Sequence, residues 1–262
     1  MTSNDVIALD SVSKTYRLGR IRVRALEDVT LTIGRGDFIA IAGPSGSGKT
    51  TLLNLIGCID KPDSGRIVID DVDVTRTPLH RLSTLRLNTL GFIFQTFNLI
   101  PVLSAYENVE YPLLLQNVSS RQRAARVRRW LDEVGLADQW KQRPDQLSGG
   151  QRQRVAIARA MVSEPKLVLA DEPTANLDSE TATRILDLLA DINSRTGCTF
   201  VFSTHDASLI ARAQQVVRIK DGEIVAPSVE RGAWADVRRN TTPFAPPSPP
   251  DASLALSVTV GD

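Results

Sequence analysis

The fold of this chain is decided by the stretch Gly43-Pro44-Ser45-Gly46-Ser47-Gly48-Lys49-Thr50. It matches the phosphate-binding pattern G-x-x-x-x-G-K-[ST] at every fixed position. The apolar run Phe38-Ile39-Ala40-Ile41-Ala42 before it predicts a buried strand, and residues 51–57 after it predict a helix. Glycines let backbone N–H groups converge on one anion at the positive end of the helix dipole. A plain glycine-rich turn is the alternative, and the strand, the Lys-Thr pair and the helix together argue against it.

The predicted loop is suited to the triphosphate of a nucleotide and a magnesium ion. Lys49 would reach the β- and γ-phosphates, and the Thr50 hydroxyl would ligate Mg²⁺. The predicted nucleotide contacts of this segment are Gly43, Pro44, Ser45, Gly46, Ser47, Gly48, Lys49, Thr50 and Thr51. By itself, the segment says only that the chain binds a nucleoside triphosphate.

A second glycine-rich segment lies far along the chain, at Leu147-Ser148-Gly149-Gly150-Gln151. Ser148 is a favourable N-cap for the helix predicted from Gln151 to Ala160. The two glycines beside the cap leave backbone N–H groups bare, so the segment predicts a second anion site at the start of a helix.

Composition limits the class of protein. The chain has 262 residues, with 31 basic and 30 acidic side chains, so it lacks the basic excess typical of nucleic-acid binders. Cys58 and Cys198 are predicted to be two reduced core thiols. The N-terminus has no secretory pattern, and no apolar run approaches the ~18 residues that cross a bilayer. We therefore expect any membrane-spanning part to be another polypeptide.

Predicted strands alternate with predicted helices, which indicates an α/β fold with a mostly parallel sheet. The strands are expected at 7–16, 25–33, 66–70, 91–95, 166–171, 199–203 and 216–220. A helical pattern runs from about 106 to 134, with Ser119-Ser120 capping its second part, and another helix is expected at 179–195. The turn Asp221-Gly222 predicts a closing hairpin. From Pro227 onward the chain is rich in proline, and we predict an extended or disordered tail.

The short strand predicted at 166–171 ends in two carboxylates, Asp171 and Glu172. With these residues the chain resembles the ATP-binding subunit of an ABC transporter, and ordered counterparts of that family's short motifs extend from Tyr16 to His205. The resemblance implies a P-loop NTPase core, an N-terminal antiparallel β-subdomain and an inserted helical subdomain at about 96–163. It also implies an ATP-binding domain at 1–226, which leaves 227–262 as the tail.

The resemblance implies roles for further residues. Tyr16 would stack on adenine, and Gln95 would contact Mg²⁺ or the attacking water. Asp171 would hold Mg²⁺, and Glu172 would accept a proton from the water as general base. Because adjacent residues of a strand point to opposite faces, this pair suits two different tasks.

Two more positions follow from the same family pattern. Asp178 ends the segment Pro173-Thr174-Ala175-Asn176-Leu177-Asp178, which resembles the family's D-loop and adds Asp178 to the nucleotide contacts. His205 would donate an imidazole N–H to the γ-phosphate. From the residues alone, Tyr16 could be a sheet aromatic, Gln95 a strand-end amide and His205 a structural histidine.

In the family, the segment Ser148-Gly149-Gly150 faces away from the P-loop of its own chain and completes the ATP site of a second ATPase subunit. The resemblance thus implies a homodimer around two ATP-Mg²⁺, working as a motor on an integral membrane permease, at the cytoplasmic face of the membrane. The segments 91–101 and 107–114 look most like the branch of lipoprotein-releasing and macrolide-exporting ATPases and the cell-division ATPase. A groove for the permease would be lined by Phe97, Leu99, Ile100, Val102 and Leu103, unless these residues pack the helical subdomain.

One alternative function remains open at the level of sequence. A soluble ABC-type ATPase without a membrane partner would carry the same motifs, although such chains usually have two cassettes or a long coiled-coil insertion. A P-loop kinase or GTPase would leave Ser148-Gly149-Gly150 without a purpose.

Overall fold

The computed structural model describes residues 4–19, 21–225 and 230–231, which form two sheets flanked by helices. The small sheet is antiparallel and has the strand order β2-β1-β4-β5. Its strands are β1 (Asp5–Leu18), β2 (Ile21–Gly34), β4 (Ser64–Ile69) and β5 (Val72–Asp73). This sheet confirms the predicted N-terminal antiparallel subdomain.

The large sheet has the order β10-β9-β3-β8-β7-β6, with β11 also paired to β9. Its strands are β3 (Phe38–Ala42), β6 (Leu90–Ile93), β7 (Leu167–Asp171), β8 (Thr199–Thr204), β9 (Gln215–Lys220), β10 (Glu223–Ile224) and β11 (Glu230–Arg231). The pairs from β9 to β6 are parallel, and β10 and β11 are antiparallel to β9. The mostly parallel sheet and the closing hairpin are confirmed.

Seven α-helices occur in the described part of the chain. They are α1 (Lys49–Ile56), α2 (Ser83–Thr89), α3 (Ala105–Leu115), α4 (Ser120–Glu133), α5 (Gly149–Met161), α6 (Ser179–Thr196) and α7 (Ala207–Arg212), and short 3-10 helices span Leu79–Leu82 and Pro144–Gln146. No helix in these ranges has both the length and the apolarity to cross a membrane.

The large sheet is covered on both faces, which explains why its central strands read as continuous apolar runs. One hydrophobic cluster joins α1 and the small sheet to one face, with Ile39, Ile41 and Val201 among its members. The other cluster joins helices α3 to α6 to the opposite face, where Phe38 and Phe202 lie with ring centroids 4.5 Å apart. The predicted helical subdomain therefore shares its core with the sheet.

Several boundaries differ from the sequence expectations. The helical stretch near 106–134 is two helices, and Ser119 is the N-cap of the second, as predicted. The strand expected at 91–95 ends at Ile93, so Gln95 lies in the loop beyond it. Helices α2 and α7 were not predicted, because seven and six residues are too few for a clear period. Of the predicted tail, only Glu230–Arg231 is described, and these two residues form a strand on β9; the rest lies outside the described residues.

Candidate nucleotide site

A cleft of about 500 Å³ lies where four neighbouring parallel strands end. Strands β3, β8, β7 and β6 are adjacent in the sheet, and the loops that follow them carry the predicted functional groups. Ligands of open α/β sheets bind at this carboxyl edge. The predicted site residues that line the cleft are Tyr16, Ser45, Gly46, Gly48, Lys49, Thr50, Thr51, Gln95, Asp171, Glu172 and His205.

The loop between β3 and α1 wraps around its own lysine. The Lys49 ammonium is buried and donates to the carbonyl oxygens of Gly43 and Pro44, each at 2.9 Å. An ammonium has three donors, so one N–H remains for a phosphate oxygen. Ser47, also predicted as a contact, lies behind the loop with its hydroxyl buried and without a partner in the described structure. Gly43, Pro44 and Ser47 therefore shape the loop and do not line the cleft.

The backbone at Gly48 shows why this position needs glycine. Its φ is +106°, and a Cβ there would lie 2.4 Å from the carbonyl oxygen of Ala25. Gly48 is also the N-cap of α1, so the same turn aims the first N–H groups of the helix into the cleft.

Thr50 and Asp171 meet across 121 positions of sequence, and both offer oxygen ligands. The Thr50 Oγ1 lies 3.3 Å from each carboxylate oxygen of Asp171, and Ser203 Oγ donates to Asp171 Oδ1. A hydroxyl and one carboxylate suit Mg²⁺, which keeps waters and takes further oxygens from phosphates. The described residues contain no cluster of three His, Cys, Asp or Glu that would hold a metal alone. The donor set therefore fits a magnesium ion that enters with a nucleotide.

Glu172 and His205 form a pair at the ends of β7 and β8. His205 Nδ1 lies 2.8 Å from Glu172 Oε1, which leaves the second imidazole nitrogen for another group. Glu172 has a φ of +46°, an uncommon conformation for a residue with a side chain. We expected Asp171 and Glu172 to be adjacent residues of one strand with side chains on opposite faces. That expectation is wrong for Glu172, because the strand ends at Asp171 and the left-handed turn sets the direction of Glu172.

Gln95 reaches the cleft from an unusual loop. Its carbonyl oxygen accepts a hydrogen bond of 2.8 Å from the Asn176 side chain. Phe97 and Asn98, further along this loop, both have left-handed backbone angles. Their carbonyl oxygens accept hydrogen bonds from the Arg159 guanidinium at 2.9 and 2.5 Å, respectively. The loop is thus attached to α5 and to the segment after β7.

The wall opposite the phosphate loop comes from the small sheet. Tyr16 of β1 lines the cleft beside Val23, Arg24 and Ala25 of β2. Sequence reasoning missed these three β2 residues and also Ser203, the hydrogen-bond partner of Asp171. Strand pairing places the β2 residues beside the cleft, since Tyr16 lies opposite Val23 in the register. For Ser203, the sequence signal was a hydroxyl at the end of an apolar strand.

The segment at Ser148 lies elsewhere. Ser148 and Gly150 line a separate cleft of about 480 Å³ that shares no residue with the first. Ser148 is the predicted N-cap of α5: its Oγ accepts from the Gln151 N–H at 3.2 Å, and its own N–H donates to Gln151 Oε1 at 2.8 Å. Since the first N–H groups of a helix have no partner within it, those of Gly149 and Gly150 are left for a ligand.

Asp178 also lies outside the first cleft, and its place among the nucleotide contacts stays a prediction. Its carboxylate is the N-cap of α6 and accepts from the Thr181 N–H at 2.9 Å. That hydrogen bond holds the pKa of the Asp178 carboxyl below its ordinary value. The structure thus gives Asp178 a capping role that the motif alone did not reveal.

An apolar groove of about 570 Å³ lies between α2, β6 and α3. None of the five residues predicted to line a permease groove lines it: Leu99 packs against the core, and Val102 is 71% exposed outside it. The groove is lined instead by a set that includes Leu87, Phe92, Phe94, Tyr111 and Leu115. The predicted permease contact of these five residues stays a prediction, and the packing of Leu99 agrees with the alternative that they belong to the helical subdomain.

Comparison with known proteins gives consistent matches. A family model described as ABC transporter matches residues 26–175. An ABC transporter ATP-binding protein of Bacillus subtilis, YvrO, is 44% identical over 220 residues, which cover 84% of this chain and 96% of that protein. The macrolide export ATP-binding/permease protein MacB of Syntrophobacter fumaroxidans is 45% identical over 89% of this chain, which spans 32% of that protein.

A solved structure matches over most of the chain. The ATP-binding cassette MJ0796 of Methanocaldococcus jannaschii, in a dimeric post-hydrolysis state bound to ADP and Pi, superposes with a TM-score of 0.79. It is 42% identical, and the match covers 86% of this chain and 98% of that one.

Proposed function

The chain belongs to the ABC transporter family of ATP-binding proteins, and from this premise we propose that it is a motor subunit that dimerises around two ATP-Mg²⁺ and drives a separate membrane permease, in export or in mechanical transmission. The observation that carries the proposal is the meeting of Lys49, Thr50, Asp171, Glu172 and His205 in one cleft. As a peripheral subunit it would act at the inner face of the cell membrane.

Hydrolysis needs positioning of the phosphates and acceptance of a proton. The remaining N–H of Lys49 and the N–H groups at the start of α1 would hold the phosphate chain. Glu172 would take a proton from a water molecule. At the same time the water oxygen would form a bond to the γ-phosphorus, and the bond between the γ-phosphorus and the bridging oxygen would break. With both ring nitrogens protonated, His205 would donate one N–H to Glu172, at 2.8 Å, and the other to the γ-phosphate.

Thr50, Asp171 and the Gln95 amide are the proposed holders of Mg²⁺. When bound, the ion would neutralise charge on the β- and γ-phosphate oxygens. Ser203 fixes one Asp171 oxygen by a hydrogen bond, so the carboxylate is already oriented. Asn176 restrains the backbone of Gln95 in the same way.

The separation of the two clefts supports the proposed dimerisation. Ser148, Gly149, Gly150 and Gln151 form an anion-binding helix start that the chain's own phosphate loop does not reach. We propose that a second copy uses this helix start to close the nucleotide site. In that case ATP bridges two subunits, and hydrolysis removes the bridge. The dimeric state of the similar cassette supports this proposal.

The apolar groove supports the permease part of the proposal. Tyr111 and Leu115 line it while 43% and 54% exposed, as expected for a surface that a partner covers. An amphipathic helix in such a groove is a common mode of recognition. The name of the macrolide export relative joins an ATP-binding part and a permease in one protein, and we propose that here the permease is separate.

Replacing Glu172 by glutamine tests the catalytic assignment. We expect Glu172→Gln to lower steady-state ATP hydrolysis at least about 100-fold, the usual size of a general-base contribution, while ATP binding persists. The matched control is Glu164→Gln, because Glu164 is an exposed glutamate with a similar left-handed φ of +55° outside the cleft. Normal hydrolysis by Glu172→Gln would refute the assignment.

The Glu172→Gln background also tests the shared site. With ATP it should elute as a dimer in size-exclusion chromatography, and adding Ser148→Glu should return it to a monomer because a carboxylate would repel the phosphates. Ser104→Glu is the control, since Ser104 caps α3 in an equivalent capping box with Glu107. Dimers that survive Ser148→Glu would contradict the proposal, and so would an equal loss of dimers in the Ser104→Glu control.

A further inference from the structure

The aromatic wall of the cleft is attached to a carboxylate that belongs to none of the predicted motifs. The Tyr16 hydroxyl donates to Asp60 Oδ2 at 2.8 Å, across 44 positions of sequence. Asp60 lies in the turn after α1, the helix whose first residues are Lys49 and Thr50. The ring that faces the cleft is therefore connected to the element that carries the phosphate loop.

Asp60 is itself held by a buried cation. Lys14 is only 9% exposed, and its ammonium donates to Asp60 Oδ1 at 2.9 Å and to the Lys61 carbonyl oxygen at 2.6 Å. The Lys61 N–H adds a 2.7 Å hydrogen bond to the same carboxylate oxygen. Partial burial opposes ionisation of Asp60, but the bonds from Lys14 and Tyr16 outweigh it and hold the pKa of the carboxyl below its ordinary value. Asp60 is thus a charged and fixed acceptor.

The turn after α1 is also pinned to β1 through the backbone. The Asp63 N–H donates to the Ser13 carbonyl at 2.9 Å, and the Thr15 N–H donates to Asp63 Oδ2 at 2.7 Å. Strand β1 shifts register against β2 on both sides of Lys14. Such irregularities re-aim side chains. They place Lys14 and Tyr16 together on this turn, and the Tyr16 hydroxyl also interacts with the Thr51 side chain at the start of α1.

Lys14 also occupies one face of the Tyr16 ring. Its ammonium lies over the ring, 5.1 Å from the centroid, in cation–π geometry. Tyr16 lines the cleft and Lys14 does not. Only the ring face opposite Lys14 is therefore open to a ligand.

We propose that Asp60 and Lys14 are positioning residues that hold the Tyr16 ring at the base-binding end of the cleft, so that an adenine stacks on its free face. The inference rests on the proposed function, in which Tyr16 is the adenine contact. A ring that is already fixed loses little freedom when the base binds, and such preorganisation strengthens binding. This positioning should therefore strengthen binding of the base and leave binding of the phosphates unchanged.

The test compares a ligand that has a base with one that has none. Binding of Mg-ADP and of Mg-pyrophosphate is measured by isothermal titration calorimetry for Tyr16→Phe, Asp60→Ala and the double variant. We expect each single variant to weaken ADP binding roughly three- to tenfold, the size of the net contribution of one typical hydrogen bond. Pyrophosphate binding should stay unchanged. The double variant should bind ADP about as tightly as the single variant with the lower affinity, because both changes remove the same contact.

The controls separate this inference from the proposed function. Tyr106→Phe removes the hydroxyl of a partly buried tyrosine outside the cleft and should leave the ratio of ADP to pyrophosphate affinity unchanged. Tyr16→Ala tests base stacking itself: if it binds ADP normally, the adenine contact is wrong. If Tyr16→Ala is weak but Tyr16→Phe binds ADP normally, only the positioning role is wrong. Equal losses of ADP and pyrophosphate affinity in Asp60→Ala would also overturn the positioning role. If Asp60→Ala does not fold, Tyr16→Phe decides alone, since that variant leaves Lys14 paired with Asp60.

Discussion

At the scale of single residues, three positions that line the cleft have left-handed backbone angles. Gly46 and Gly48 have φ of +79° and +106°, and Glu172 has +46°. Glycine adopts this region freely, whereas a residue with a side chain does so at a cost of about 1–2 kcal/mol. Backbone strain of this kind is often found at functional sites, which agrees with the role proposed for Glu172. The glycines follow from the motif, and the angle at Glu172 does not.

Two alanine substitutions in the phosphate loop should separate backbone strain from steric contact. Gly46→Ala meets no atom within 4 Å, so we expect it to lower the free energy of unfolding by about 1 kcal/mol through its positive φ. Gly48→Ala adds a Cβ 2.4 Å from the Ala25 carbonyl oxygen, and we expect a loss of more than about 2 kcal/mol. Urea unfolding measures both. Equal losses would show that the β2 wall yields to the added carbon.

At the scale of elements, helices α4 and α6 are joined by one bidentate ion pair. Arg195 donates to the two Glu133 carboxylate oxygens at 3.0 and 2.6 Å, and also pairs with Asp191 of its own helix. The hydrogen bonds from Arg195 hold the pKa of the Glu133 carboxyl below its ordinary value. The sequence predicted both helices, but the pair spans 62 positions, so no local pattern could reveal it.

The Glu133 pair should make stability depend on pH. A carboxyl whose pKa is lowered in the folded state stabilises it above the ordinary pKa of about 4.3, and this contribution is lost as pH falls through the lowered value. We expect Glu133→Gln to cost about 1 kcal/mol of unfolding free energy at pH 7, because the pair is partly exposed, and progressively less as the pH falls below the ordinary pKa and through the lowered one. Glu180→Gln is the control, since its pair with Arg184 is exposed. A constant difference across this pH range would contradict the prediction.

At the scale of the whole molecule, the apolar groove and the nucleotide cleft share one connecting loop. Asn98 and Arg159 line the groove, and the same two residues hold the loop that begins at Gln95 of the cleft. A partner seated in the groove would therefore touch the loop that leads to the cleft. The position of this groove depends on how α2, β6 and α3 pack, so the sequence alone did not reveal it.

A charge placed in the groove should release the chain from membranes. We expect Leu115→Asp to lower the membrane-bound fraction of the chain in its own cells at least about fivefold, because a buried unpaired carboxylate opposes docking. Val102→Asp is the control: this residue is apolar and 71% exposed outside the groove. Centrifugal fractionation with immunodetection gives the fractions, and ATP hydrolysis by the isolated chain should not change. Equal release by both variants would reject the groove as the docking surface.

The fold class, the phosphate loop and the helix cap at Ser148 could be predicted from the residues alone, because each depends on neighbouring residues with fixed spacing. The meetings of distant groups became visible in the folded chain: Thr50 with Asp171, Glu172 with His205, and Tyr16 with Asp60. Those contacts depend on the lateral order of strands, in which β8 lies between β3 and β7. Strand order is set by packing across the whole sheet, and the order of residues along the chain does not record it.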